Sequence, residues 1–389
     1  MGKDYVSTGC PVARLLTVKL RGPVRRIGVA VMAFVLVAAC GGQSGATAAC
    51  SGARTATSAA DCGGINGLVT AAKAEGQLNV IALPRNWVNY GAIIDAFQAK
   101  YPGINVNSTT PNAVSQEEID AINKGGAGAP DVVDLALKVA VTNASLFAPY
   151  KVATWDEIPP ALKSATGVWV SSYGGFMSVG YDSAKVPGGT IESLADLLGP
   201  GFKGKVTLPG DPTQSNQALN GVILASIASG GSVDEVNKGV DFFHRLKVAG
   251  NFAPGTGTSA SVKSGQTSVL IEWDYVSANH IKDVPGWRIF APSNANVGGY
   301  YTQAINKAAR HPAAARLWEE FLFSDAGQSL WLKGGLHPVR QSALVNSGQV
   351  DAFTLAALLQ VKGKVWFPSA EQQAAASVYL TSNWSKAIA

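Results

Sequence analysis

The side chains best suited to chemistry are aromatic or acidic, and they gather in short clusters. These are Asn86-Trp87-Val88-Asn89-Tyr90, Glu272-Trp273-Asp274-Tyr275 and Tyr300-Tyr301, with Asp211 and Gln214 standing apart. Aromatic faces hold methylene chains and attract cations. Carboxylates meet an ammonium group that would be costly to bury unpaired. Such groups suit binding more than bond breaking. The usual catalytic signatures are missing: there is no Gly-x-Ser-x-Gly elbow, no Walker loop and no His-Glu-x-x-His. His244, His280, His311 and His337 are scattered, and none has a second histidine or a cysteine at metal-ligand spacing. His244, beside Phe243 in a helical stretch, reads as helix surface. No catalytic residue, metal ligand or cofactor is expected, and the chain is expected not to be an enzyme.

The elements that must position these clusters alternate between strand and helix. Residues 78–83 read as a buried strand. Residues 90–101 read as a helix with Ile93, Ile94, Phe97 and Tyr101 on one face, ended by Pro102-Gly103. Ile104 and Val106 begin a second strand, and residues 131–137 form a third. Ser232-Val233-Asp234-Glu235 reads as a capping box opening a helix whose core face is Val236, Val240, Phe243 and Leu246. Residues 269–273 are another apolar strand. Pro312 begins a helix carrying Leu317, Trp318, Phe321 and Leu322, and Gly334-Gly335 stops the helix after it. This alternation predicts an α/β protein with mostly parallel sheets. Trp87 and Tyr90 then follow a strand, where open α/β sheets bind ligands; the alternative is that both are core residues at the start of a helix. Asp211 also follows a strand. Strand alternation puts Glu272 and Asp274 on one face with Trp273 opposite, and sets Tyr300 and Tyr301 on opposite faces. If Asp274 has left the strand it is as readily a helix N-cap in a solvated loop.

The first 39 residues read as a leader. Lys19, Arg21, Arg25 and Arg26 precede the uncharged apolar run 27–39, which is short for a membrane span and suits a signal peptide. The run ends in Val37-Ala38-Ala39-Cys40-Gly41, which resembles the bacterial lipobox, with Cys40 as the lipidated residue. The leader carries six cations against one acid, which accounts for the whole net charge of +5. The remainder is near neutral, which argues against nucleic acid as a partner. Cys50 and Cys62 are left to form a disulfide in an oxidising compartment, or to stay as two free thiols. Residues 41–65, rich in Gly, Ala, Ser and Thr, read as a flexible tether.

From about residue 76 onward the chain resembles the substrate-binding proteins of bacterial ABC importers, in the cluster of polyamine, iron(III) and aminoethylphosphonate binders. The resemblance rests on Leu78-Asn79-Val80 leading to Asn86-Trp87-Val88-Asn89-Tyr90, then Phe97-Gln98-Ala99-Lys100-Tyr101-Pro102-Gly103-Ile104, and Pro130-Asp131-Val132-Val133-Asp134. It continues through Asp196-Leu197-Leu198, Phe202-Lys203-Gly204-Lys205-Val206 and Gly298-Gly299-Tyr300-Tyr301. It ends with the stretch from Phe323-Ser324-Asp325 to Pro338-Val339-Arg340. It implies a type II periplasmic-binding-protein fold with two α/β lobes, hinged by extended crossovers near residues 176–181 and 298–304. The expected domains are a lipoprotein signal peptide over 1–39 and a lipid-anchored flexible tether over 40–75. Lobe 1 is expected over 76–178 and 298–389, with its C-terminal helices packing across the lobes, and lobe 2 over 179–297.

The resemblance also implies a role for each cluster. Trp87 and Tyr90 would be aromatic walls, Asp211, Glu272 and Asp274 would meet ammonium groups, and Gln214, Trp273, Tyr300 and Tyr301 would complete the ligand set. A polyamine such as putrescine or spermidine is the expected solute, delivered to a membrane permease by a monomeric, lipid-anchored protein. Leu137-Lys138-Val139 stands where polyamine binders carry hydroxyls, and Gln214 and Ser215 stand where a second acid would help. Iron binders of the cluster carry adjacent tyrosines where this chain has Trp273-Asp274-Tyr275. Phenolates with a carboxylate would still be hard ligands for iron(III). The alternatives are an iron(III) or phosphonate binder of the same fold, or a two-lobe surface lipoprotein acting as a hydrolase or signalling receptor.

Overall fold

The computed structural model describes residues 50–389; the leader and Cys40 lie outside the described residues. The chain begins with α1 (Ile65–Glu75), β1 (Gln77–Ile81), α2 (Tyr90–Lys100), β2 (Asn105–Thr109), α3 (Ser115–Lys124), β3 (Val132–Ala136), α4 (Leu137–Thr142) and β4 (Phe147–Ala148). It continues with β5 (Val170–Asp182), β6 (Val206–Leu208), α5 (Asn216–Ala228), α6 (Val236–Val248), β7 (Phe252–Thr256), α7 (Ser259–Lys263), β8 (Val269–Trp273), α8 (Asp274–His280) and β9 (Trp287–Phe290). It closes with β10 (Asn296–Asn306), α9 (Pro312–Leu322), α10 (Asp325–Lys333), β11 (His337–Pro338), α11 (Gln341–Asn346), α12 (Ala352–Ala356), β12 (Val365–Trp366) and α13 (Ala370–Ile388). Among the described residues no helix is long and apolar enough to cross a membrane.

The strands join in the order β2-β1-β3-β10-β5-β8-β6-β7. Each end of this path is parallel, as expected: β1 pairs with β2 and β3, and β6 pairs with β7 and β8. The middle is not. β10 runs antiparallel to β3 and β5, and β5 runs antiparallel to β8. The reason is the length of β5. Its 13 residues pair with β10 over Val170–Phe176 and then with β8 over Met177–Tyr181, so one strand serves two sheets. This is the two-lobe α/β architecture, with β5 and β10 as its hinge strands.

The helices form where apolar spacing and end residues agree. In α6 the spaced residues Val236, Val240, Phe243 and Leu246 are all buried, each large side chain stabilising the fold by roughly 1.5–3 kcal/mol. Its start differs from expectation: the helix opens at Val236, and Ser232 Oγ instead accepts the Asp234 N–H at 3.3 Å. Helix α9 is capped from outside. Glu75, the last residue of α1, accepts the Ala313 and Ala314 N–H groups at 3.0 and 2.8 Å, satisfying donors that a helix start leaves open. Helix α13 packs on α4 and α6: Lys138 Nζ donates to Ser377 Oγ near its middle, and the Ala387 carbonyl meets His244 Nδ1 at its C-terminal end.

The segment read as a flexible tether is ordered from Cys50 onward. A disulfide joins Cys50 to Cys62, and Ala53, Ala56 and Cys62 are buried. Arg316 of α9, itself buried, donates from Nε to the Ala56 carbonyl at 2.8 Å and from Nη2 to the Arg54 carbonyl at 2.9 Å. Its guanidinium lies 5.5 Å from the centre of the Tyr150 ring. The Lys151 N–H donates to the Thr57 carbonyl at 2.7 Å. Small residues here are a condition of close packing, because they let the backbone reach a buried cation.

Candidate functional site

The loop between β1 and α2 presents Trp87. Three of its non-glycine residues, Ala82, Val88 and Asn89, have φ of 57°, 43° and 64°. Each costs of order 1–3 kcal/mol, strain of a kind that collects at functional sites. The loop is held in place by Asn89 Nδ2, which donates to the Leu330 carbonyl at 2.7 Å, and by the Gly91 N–H, which donates to the Arg85 carbonyl at 3.0 Å. Trp87 is half-buried. Its ring meets Tyr301 edge-on at 5.5 Å and Tyr173 at 6.3 Å. Tyr301, also half-buried, stacks on Tyr173 at 5.6 Å. Tyr275 at the start of α8 meets Tyr173 edge-on at 6.5 Å and is stacked by Trp273. Rings from the β1 side, both hinge strands and the β8 side therefore converge.

Tyr90, expected as a wall, is instead fully buried beneath this cluster. Its hydroxyl donates to Asp134 Oδ2 at 2.6 Å, as does the Tyr173 hydroxyl at 2.7 Å. Gln303 Nε2 donates to Asp134 Oδ1 at 3.0 Å and approaches Ser172 Oγ and the Tyr90 hydroxyl. The network ties α2, β3, β5 and β10 together. Burial pushes the Asp134 carboxyl up to about 7, although the two tyrosine hydroxyls favour its ionised form. Burial, with the Asp134 charge adding to it, also holds the Glu118 carboxyl well above the usual carboxylate range; Glu118 accepts the Asp134 N–H at 2.9 Å.

The acids of the β8 cluster separate. Glu272 and Asp274 do not share a face, because α8 begins at Asp274 and strand alternation ends there. Glu272 turns into the protein and pairs with His280, Oε1 to Nε2 at 2.9 Å, both side chains buried. Burial raises its carboxyl and the His280 contact offsets part of that. Asp274 lies at the hinge: Oδ1 accepts the Phe176 N–H at 2.9 Å, and Oδ2 sits 3.3 Å from His337 Nε2. Trp273 is buried, a Cβ on Gly299 would fall 2.6 Å from its ring, and one on Gly175 would fall 2.2 Å from Asp274 Oδ1. Gly299 and Gly175 face each other across β5 and β10, and both must lack a side chain for Trp273 and Asp274 to lie so close.

The remaining expected residues stand apart. Asp211 is exposed, and its Oδ1 accepts the Thr213 N–H at 2.8 Å, which makes a turn. Gln214 is exposed and reaches only Thr213 Oγ1, at 3.4 Å. Tyr300 points away from Tyr301 and lies 6.0 Å from Phe367; burial and the Asp274 charge push its phenol up to about 12. Sequence reasoning brought Trp87, Trp273, Asp274 and Tyr301 near one another but missed Asp134, Tyr173, Tyr275, Gln303 and His337. An acid inside the apolar run Val132-Val133-Asp134-Leu135 was the available signal. Among the described residues no group of three or more His, Cys, Asp or Glu is placed to hold a metal ion.

Residues 127–357, more than half of the chain, match the family described as bacterial extracellular solute-binding protein. No curated protein matches the chain in sequence. Several solved structures share its fold. Iron-bound HitA from Pseudomonas aeruginosa is 19% identical with a TM-score of 0.60, covering 79% of this chain and 99% of its own. AfuA from Actinobacillus pleuropneumoniae, with fructose-6-phosphate bound, is 19% identical with a TM-score of 0.60, covering 80% and 98%. The spermidine/putrescine substrate-binding protein PotD from Streptococcus pneumoniae is 14% identical with a TM-score of 0.58, covering 80% and 99%.

Proposed function

We propose, from the premise that this chain belongs to the bacterial extracellular solute-binding protein family, that it captures a small organic cation of the polyamine class between its lobes. Members of the family work outside the cytoplasm and deliver small solutes to the permease of an ABC importer, and they are not enzymes. On this reading the chain is a monomer anchored through a lipid on Cys40, binds no nucleic acid and catalyses no reaction. Lobe 1 comprises residues 76–178 and 298–389, and lobe 2 residues 179–297. The disulfide-closed segment that begins at Cys50 packs on α9 and adds to lobe 1.

The observation that carries the cationic class is the aromatic floor with carboxylates behind it. Trp87 and Tyr301, both half-buried, offer their faces over the buried Tyr173 and Tyr275, Asp134 lies beneath them on the Tyr90 and Tyr173 hydroxyls, and Asp274 lies beside them. Such faces bind ammonium groups and methylene chains at about 0.5–2 kcal/mol per contact.

The test is thermal unfolding of the chain without its first 40 residues, against putrescine, spermidine, ferric citrate, aminoethylphosphonate and fructose-6-phosphate. A ligand at a hundred times its Kd adds about 2.7 kcal/mol of stability. A rise with the polyamines that weakens roughly 2- to 30-fold in affinity on Trp87→Ala supports the reading. A rise with ferric citrate or an anion alone overturns the polyamine class and leaves family membership standing.

A further inference from the structure

A groove of about 400 Å³ starts at Asp274 and runs between α8, β9 and the turn after α12. Its walls are apolar, with Ala278, Ile281, Ile289 and Leu359 among them. Its ends are charged and opposite. At the inner end is the buried Asp274 carboxylate, which meets no lysine or arginine among the described residues; His337 Nε2 lies 3.3 Å from its Oδ2. The His337 Nε2 beside it is buried and makes no hydrogen bond. At the outer end is the exposed Arg288, which spends one nitrogen on the Pro285 and Trp287 carbonyls and keeps its other donors. The sheet register sets the spacing. Trp273, next to Asp274, pairs with Met177, and Arg288 pairs with Tyr181. Because β8 and β9 pair with opposite edges of β5, four residues along that strand and two strand spacings across it separate the two ends, roughly 16 Å.

We propose that this groove binds an extended zwitterion, an ω-amino acid or a molecule shaped like one. Its ammonium meets Asp274, its methylenes lie along Ala278, Ile281, Ile289 and Leu359, and its anionic end meets Arg288. The inference goes beyond the aromatic cleft and shares only Asp274 with it. A diamine fits the groove poorly, because its second ammonium would face Arg288. The volume is in the range of small-molecule pockets, which are mostly apolar with a few placed polar groups. The buried Asp274 carboxylate supplies such a group at one end and Arg288 at the other.

Titration calorimetry of the leaderless chain with ω-aminohexanoate, ω-aminooctanoate, ω-aminododecanoate, octylamine and diaminooctane tests this. The aminoalkanoates bind, with affinity rising roughly two- to fourfold per methylene until the chain spans the groove. Diaminooctane binds there roughly two- to fivefold more weakly, the scale of one exposed charge pair. Ala278→Trp, at an exposed position that leaves the fold intact, abolishes aminoalkanoate binding. Arg288→Glu reverses the order in favour of the diamine. Trp87→Ala separates the two sites: it weakens diamines held in the aromatic cleft and leaves aminoalkanoates unaffected. Absence of aminoalkanoate binding, affinity independent of chain length, or full binding by Ala278→Trp would overturn the proposal, as would loss of aminoalkanoate binding in Trp87→Ala.

Discussion

Replacing Asp134 by asparagine removes a buried titrating group and leaves its shape. In the folded protein the carboxyl is raised from 3.8 to about 7 by burial. A carboxyl raised on folding contributes stability in full below its ordinary value, and that contribution is lost as pH rises through the folded value. Over the whole interval the loss is about 4 kcal/mol, of which roughly 3 kcal/mol falls between pH 5 and 8. The introduced amide can still accept from the Tyr90 and Tyr173 hydroxyls, and Gln303 needs only to rotate its own amide to accept from the new NH2. At pH 5 the Asp134→Asn variant is therefore expected to be about 1–2 kcal/mol less stable than the parent, the worth of a disturbed hydrogen bond. At pH 8 the parent holds a buried anion that the variant lacks, and the order reverses. Urea unfolding of both proteins at half-unit steps from pH 5 to 8 measures the difference. The comparison must be between proteins, because Glu319 is also raised, to about 8, and titrates in both; Glu118, which burial raises and the Asp134 charge pushes further up, is released in part by the substitution and belongs to the same network. A difference in stability that stays constant from pH 5 to 8 would refute the assignment of Asp134 as the titrating centre of the network.

Two further perturbations test the frame around the site. Cys50→Ser with Cys62→Ser opens a loop of sequence separation 12, and is expected to cost about 3 kcal/mol. The same loss on adding a reductant to the parent, read by thermal unfolding, checks it; an unchanged midpoint would mean that Arg316 alone holds the segment. Gly175→Ala places a Cβ 2.2 Å from Asp274 Oδ1 and 2.6 Å from the Tyr275 ring. It is expected to destabilise by about 1–3 kcal/mol, measured by urea unfolding, and parent-like stability would show that the two side chains have room to retreat.

The elements that could be read from sequence are those whose cause is local. Strand β8 falls where the apolar run 269–273 puts it, and α6 shows its buried face at the i, i+4, i+7 spacing seen in the sequence. The family resemblance puts the hinge strands near 176–181 and 298–304, but their full lengths and antiparallel pairing depend on partners at least 88 residues away. The site was half-visible for the same reason. Trp87 and Tyr301 advertise themselves by type, whereas Asp134, Tyr173 and Gln303 become a network only when three strands are laid side by side. Glu272 misled because the turn into α8 comes one residue earlier than alternation requires. The segment from Cys50 misled because composition alone cannot register a buried Arg316 waiting for two carbonyls.

The facing glycines of β5 and β10 have a bearing on how such a protein could change over evolutionary time. Gly174-Gly175 lies against Gly299 and Tyr300 with no side chain of its own, so the β5 side of the ribbon joining the lobes is backbone alone at that point. The aromatic plates that press on β10, Trp273 on Gly299 and Phe367 on Gly298, belong to other segments. Exchanging a plate would change what packs on β10 without touching the torsions of β5 and β10 at that point. The packing on the ribbon and the ribbon's own backbone can therefore vary independently over a lineage.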